Sequence, residues 1–268
     1  MILLQCLSLM PQLEILLIAF QFAVPNRNVE RQLMRRPIMT HVTLPDLRYF
    51  FLEAVSTYSE AVLSQITAPR LENFQIVYHQ QLTYSVTQLL QFMGRTENFR
   101  FDRAKFEFNS EQVIVDIDPP ETNMSMTAFK MVVRCWHLDW QVSSVAQIFN
   151  ALSQISSGME QLTLVHKVHS RSSEEHNEVD RTEWRKLLRS FTNVKTLWID
   201  DGLAKELSRC LRLEDEEDAL ELLPELQELT ISGSGSVNDG FTSFIDARRK
   251  LDRPVTLIKS EPGEFPAI

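Results

Sequence analysis

The phrase Pro-x-Leu occurs four times in this chain, and each copy opens the same short pattern. The copies are Pro11-Gln12-Leu13, Pro45-Asp46-Leu47, Pro69-Arg70-Leu71 and Pro224-Glu225-Leu226. With Φ for an apolar residue, each begins Φ-x-x-Φ-x-Φ: Leu13/Leu16/Ile18, Leu47/Phe50/Leu52, Leu71/Phe74/Ile76 and Leu226/Leu229/Ile231. Met159/Leu162/Leu164 and Val194/Leu197/Ile199 repeat it without the proline, and weaker copies end at Phe101 and at Met131. Proline cannot continue a helix and biases the residue before it toward extended geometry, so each phrase marks a helix-to-strand boundary. The last apolar positions (18, 52, 76, 101, 131, 164, 199 and 231) lie 24 to 35 residues apart. A fixed phrase at that period predicts a stacked repeat array.

Between the phrases the apolar period becomes helical. Val86, Leu89, Leu90 and Met93 follow i, i+3, i+4, i+7 behind Ser85, and Val145, Ile148, Phe149 and Leu152 do so behind Ser144, each serine placed to cap its helix. Trp184, Leu187, Leu188 and Phe191 repeat the spacing, and shorter helices are expected over 60–66, 203–211 and 241–251. Strand, helix and return to a parallel strand is the leucine-rich-repeat plan. A doubly wound α/β domain uses the same alternation but buries both strand faces. Here one face is often polar (Asn73 and Gln75, Gln161 and Thr163, Glu228 and Thr230), which favours the solenoid. The expected fold is therefore α/β: an irregular leucine-rich-repeat-like solenoid with a curved parallel sheet on one face and helices on the other. It is irregular because Gln21, Val55, His79, Ala104, Lys167, Gly202 and Ser234 stand where a regular array places Asn or Cys. Residues 1–268 are expected to form one array of about eight repeats, with 1–12 the remnant helix of a truncated N-terminal repeat and 258–268 a C-terminal tail.

Composition narrows the function. Glycine numbers 7 in 268 residues, against a background near 7%, so few places exist where backbone can close on a phosphate. The net charge is −9. Between Asp200 and Glu228, eleven acids face three bases, which gives −8 in that segment alone. No basic stripe remains for nucleic acid, and the 214–218 acidic run reads as a solvated loop. Cys6, Cys135 and Cys210 lack CxxC spacing, so a disulfide framework and a structural zinc are both unexpected; buried thiols in a reducing compartment fit better. The apolar stretch 1–24 lacks a basic start and is cut by Pro11, so neither a secretory signal nor a membrane span is expected. The location expected is intracellular, cytoplasm or nucleus.

No chemistry-bearing motif survives scrutiny. Gly233, Gly235 and Gly240 give GxGxxxxG without a following lysine, which fits a loop better than a dinucleotide fingerprint. His166 and His169 point to opposite faces of a strand, so a metal site with His176 is not expected. No GxSxG is present. No catalytic residue, cofactor or metal is nominated, and the chain is not expected to be an enzyme. A surface remains. Side chains between the apolar positions of each strand project from the opposite face, and that row contains Tyr49, Phe51, Gln75, Arg100, Thr163 and Trp198. These six are the expected partner-binding residues of a concave face, because Tyr, Trp and Arg dominate interface energetics.

Several stretches resemble F-box proteins of mushroom-forming (basidiomycete) fungi: 40–48 (THVTLPDLR), 138–144 (LDWQVSS), 184–191 (WRKLLRSF), 222–229 (LLPELQEL) and 241–257. The similarity covers nearly the whole chain and specifies architecture. In that family an N-terminal F-box engages the Skp1 adaptor of a cullin ubiquitin ligase, and the repeat region is thought to hold the substrate. The F-box itself is not found here. Residues 10–16 (MPQLEIL) have one residue too many for an F-box opening and are read as the first repeat strand. The resemblance implies a non-enzymatic, protein-binding scaffold, the substrate-recognition region of an F-box-type receptor. Its link to Skp1 and cullin would require an upstream F-box. The alternative is a stand-alone repeat protein with no ubiquitin role.

Overall fold

Proline at the second position of a four-residue turn presets its φ, and all four Pro-x-Leu phrases use it that way. The N–H groups of Leu13, Leu47, Leu71 and Leu226 donate to the carbonyls of Met10, Leu44, Ala68 and Leu223 at 3.0–3.3 Å. Met159 closes the equivalent turn without proline, donating to Ser156 at 3.2 Å. The computed structural model describes residues 2–20, 41–96, 99, 101–119, 129–167, 181–212, 220–233 and 239–261. In chain order its elements begin α1 (Ile2–Ser8), β1 (Ile15–Ala19), β2 (Val42–Thr43), β3 (Tyr49–Ala54), α2 (Ser56–Leu63), β4 (Ile66–Thr67), β5 (Asn73–His79) and α3 (Thr87–Gly94). They continue with β6 (Arg103–Asn109), β7 (Gln112–Asp118), β8 (Phe129–Arg134), α4 (Leu138–Ala151), α5 (Ser153–Ser156), β9 (Gln161–Lys167) and α6 (Arg181–Arg189). The last are β10 (Thr196–Ile199), α7 (Asp201–Leu211), β11 (Glu228–Ser232), α8 (Asp239–Lys250) and β12 (Thr256–Ser260). The chain is mixed α/β, and it divides into two compact units: Met1–Arg100 with Asp116–Arg134, and Phe101–Val115 with Cys135–Ile268.

In the first unit, β1, β3, β5 and β8 are successive parallel neighbours. The repeated apolar positions fall in register: Leu16, Phe50, Phe74 and Phe129 form one row, and Ile18, Leu52, Ile76 and Met131 the next. Phe50, Phe74 and Phe92 pack with ring centroids 5.2–6.0 Å apart. Each turn also sets up one rung of a ladder. The Glu14 carbonyl accepts from Arg48 and Tyr49 (2.8 and 3.1 Å), and the Arg48 carbonyl from Glu72 and Asn73 (both 2.9 Å).

The second unit carries the parallel series β6, β9, β10, β11 and β12. Leu162, Leu197, Leu229 and Leu257 share a row, and Leu164, Ile199 and Ile231 form the next. Here the Asp102, Glu160 and Lys195 carbonyls each accept two successive N–H groups at 2.7–3.1 Å. Phe106, Phe149 and Phe191 form its aromatic core. Arg248, buried in α8, clasps the fourth Pro-x-Leu turn: its guanidinium donates to the carbonyls of Pro224 (2.8 Å), Leu226 (3.1 Å) and Leu223 (3.4 Å).

Several expectations are corrected. The copy placed at Phe101 ends at Phe106, because Ala104 and Phe106 stand opposite Leu162 and Leu164. Phe101 is the first apolar position of that copy, and the small Ala104 hid the middle one. Around it the chain builds β6 and β7 joined by Ser110-Glu111, a connection closed by the Asn109 carboxamide, which accepts from Glu111 and Gln112 (2.9 and 3.0 Å). Ser85 does not cap α3. Glu60, from α2, accepts from the N–H groups of Gln88 (2.8 Å) and Leu89 (3.1 Å), and Ser85 donates to it. Ser144 lies inside α4, which starts a turn and a half earlier because Leu138 and Val142 extend the Val145–Phe149 stripe. Cys6 is exposed, whereas Cys135 and Cys210 are buried.

Candidate partner-binding surface

Parallel register brings the residues between the apolar positions into rows of their own. In the first unit Ile15, Tyr49 and Asn73 stand side by side, followed by Leu17, Phe51, Gln75 and Lys130. Ile15 and Leu17 are 60% and 65% exposed, while Tyr49, Phe51, Asn73 and Gln75 are half-buried. The Tyr49 hydroxyl donates to the Gln75 carboxamide at 3.3 Å, fixing the phenol across the sheet. The result is an apolar and aromatic strip grading into amide and charge, with Lys130 held by Asp116 at 3.2 Å. Four neighbouring large apolar side chains presented this way are what interfaces use.

At the C-terminal ends of β3, β5 and β8 lies a charged cluster absent from the sequence-based expectation. The Glu53 carboxylate sits 2.6 Å from Arg134 and 3.3 Å from His79. Burial holds the His79 imidazole below its ordinary proton affinity; the Glu53 carboxylate opposes that and the Arg134 guanidinium adds to it.

In the second unit Thr163, Trp198, Thr230 and Ile258 are in register across β9 to β12. Thr163 is half-buried, but Trp198 is only 3% exposed. Its expected place on a solvent-facing row is corrected: the indole is enclosed, with the in-register Thr163 and Thr230 on either side, and acts as packing. The six expected residues are therefore distributed as follows: Tyr49, Phe51 and Gln75 are brought together, Thr163 and Trp198 adjoin in the other unit, and Arg100 lies outside the described residues. The same is true of His169, His176, the 214–218 acidic run and Gly235.

Two exposed aromatics escaped the row logic. Trp136 and Trp140 are 68% and 48% exposed at the start of α4, and the His137 and Trp140 rings meet edge-on at 5.3 Å. The signal was present in the helical period, since Trp140 falls off the Leu138–Val142–Val145–Phe149 stripe. Among the described residues, no group of three His, Cys, Asp or Glu side chains is placed to hold a metal ion, and no helix is long and apolar enough to cross a membrane. Compared with known proteins, the chain matches no family model, no curated protein and no solved structure.

Proposed function

We propose that this chain is a non-enzymatic protein-binding scaffold of leucine-rich-repeat type, the substrate-holding region of an F-box-type ubiquitin-ligase receptor. The supporting observation is the Ile15–Leu17–Tyr49–Phe51 strip, whose side chains lie on the sheet face opposite the core rows. The recurring turn and carbonyl ladder support the repeat reading, because successive strands are entered through the same hydrogen-bonded step. The ubiquitin part rests on the resemblance of the five stretches named above. A photo-crosslinking residue at Phe51, in the protein expressed at its natural level, should capture the partner. That partner should gain ubiquitin and be degraded in cells holding the protein, and accumulate in cells lacking it. A partner captured through Phe51 whose turnover does not change would replace the ligase reading with a stand-alone scaffold. Capture that is unaffected by moving the crosslinker from Phe51 to the exposed Leu82 would remove the strip as the binding surface.

A further inference from the structure

We propose that the outer edge of β1 docks an extended segment of a partner protein, paired parallel to Ile15–Ala19, with a lysine or arginine opposite Glu14 and alternating apolar residues after it. In a parallel ladder, alternate residues turn both main-chain groups to the same neighbour. The Glu14 carbonyl receives Arg48 and Tyr49, and the Phe20 N–H donates to the Glu53 carbonyl at 2.9 Å. The even-numbered residues of β1 therefore serve β3. Ile15, Leu17 and Ala19 turn their N–H and C=O groups the other way, where β1 has no described neighbour.

Three further observations say what kind of strand would fit. First, Arg48 and Tyr49, like Glu72 and Asn73, present two successive N–H groups to one carbonyl of the preceding strand. Glu14 and Ile15 occupy the same positions in the repeat, so their N–H pair is set for a carbonyl delivered by a parallel neighbour. Second, β1 reads Ile-Leu-Leu-Ile-Ala, with none of the charges, prolines or bulges that ordinarily protect an edge. The edge strand β12 of the other unit carries Lys259. Third, the residues before β1, β3 and β5 alternate in charge, Glu14 then Arg48 then Glu72, and Arg48 is ion-paired with Glu72. The next position outward completes the alternation with a base. Apolar side chains on alternate residues would then lie beside Ile15 and Leu17. Main-chain bonds supply affinity in such strand addition and the side-chain pattern supplies selectivity. The edge reading is independent of the ubiquitin reading, since it concerns hydrogen-bonding groups and not the fate of what binds.

The probe is a fluorescein-labelled, C-terminally amidated peptide, Gly-Lys-Val-Thr-Val-Thr-Val-Gly, titrated with the full chain and read by anisotropy. Saturable binding is expected, and replacing the lysine by glutamate should weaken it about threefold or more. Leu17→Pro removes an outward N–H and places a ring on the edge without breaking a bond to β3. It should weaken binding about tenfold or more while leaving the circular dichroism and melting temperature near wild type. If Leu17→Pro unfolds the protein, Ala19→Pro repeats the test two residues along. Glu14→Lys should invert the preference between the two peptides. Three results would overturn the proposal: no saturable binding up to about 1 mM, binding indifferent to the proline variants, or a wild-type dimer that the proline variants dissociate. The last result would make a second copy the occupant of the edge.

Discussion

Trp198→Ala separates a packing role from a binding role. The side chain is 3% exposed, and a tryptophan buries about 150–250 Å2. At about 25 cal/mol per Å2, some 200 Å2 of lost burial corresponds to about 5 kcal/mol. Relaxation of Thr163 and Thr230 into the gap recovers a part, so a loss of about 3–5 kcal/mol is expected. Trp198→Phe retains most of the apolar area and should cost about 1–2 kcal/mol. Phe51→Ala is the contrast. It removes a half-buried ring from the exposed strip, so its stability cost should stay at about 1.5–2.5 kcal/mol, half that of a core phenylalanine. Its effect on partner capture should be the larger one. Urea titrations followed by fluorescence and by circular dichroism give the stability differences, and crosslinking yield gives the binding. A Trp198→Ala protein within about 1 kcal/mol of wild type would refute the argument that the indole is packed as described.

Arg248→Ala should destabilise the second unit by about 3–5 kcal/mol, because it leaves the Leu223, Pro224 and Leu226 carbonyls without their buried donor. Arg249→Ala should change stability by under about 0.5 kcal/mol, since that residue is exposed and pairs with Asp246 on the same helix. A urea midpoint equal for the two variants would count against the clasp. His79 carries a pH signature: its proton affinity is lowered in the folded state, so the unfolded chain takes up the proton first. Stability from this source is fully present above about pH 6.5 and declines as the pH falls below it. His79→Gln should flatten that part of the stability profile, and an unchanged profile would show that the ring titrates as it does in the unfolded chain. Thiol labelling at pH 8 should modify Cys6 quickly and Cys135 slowly, since Cys6 is exposed and burial, with Asp139 nearby, pushes the Cys135 thiol up to about 12. Equal rates would contradict the burial of Cys135.

The parts of the fold readable from sequence are those that local chemistry determines. A proline at the second turn position and apolar residues at fixed offsets after it are statements about six or seven consecutive residues. Together they located the Leu16, Phe50 and Phe74 positions of one row, and the apolar offsets, with the proline only in the last phrase, located the Leu162/Leu197/Leu229 row. The readings that failed depend on something distant. Ser85 looked like a cap, but the cap is Glu60, 25 residues earlier and on another helix. Phe101 looked like the end of a strand because alanine occupies the middle position of its phrase. The clasp by Arg248 joins residues 22 to 25 apart that no periodic pattern links.

The candidate surface shows the same division. Strand alternation places Trp198 on the face opposite Leu197, as it places Phe51 opposite Phe50, and both assignments follow from the two-residue period. Alternation does not determine whether that face meets water. Phe51 remains half-buried beside the exposed Leu17, whereas Trp198 is enclosed. The distinction comes from packing over the strand, which is a property of the folded chain and not of any one segment. The strip that merits mutation is therefore Ile15, Leu17, Tyr49 and Phe51. Ile15 and Leu17 would be read as core residues on hydrophobicity alone, since they sit in an unbroken apolar run with Leu16 and Ile18. The Leu13/Leu16/Ile18 phrase separates them through the two-residue period, and the parallel register sets the outward pair beside Tyr49 and Phe51. An exposed isoleucine and leucine on such a strand leave apolar area in water, on an edge with no described neighbour. Both costs fall on the same five residues, and strand addition by a partner would relieve both at once.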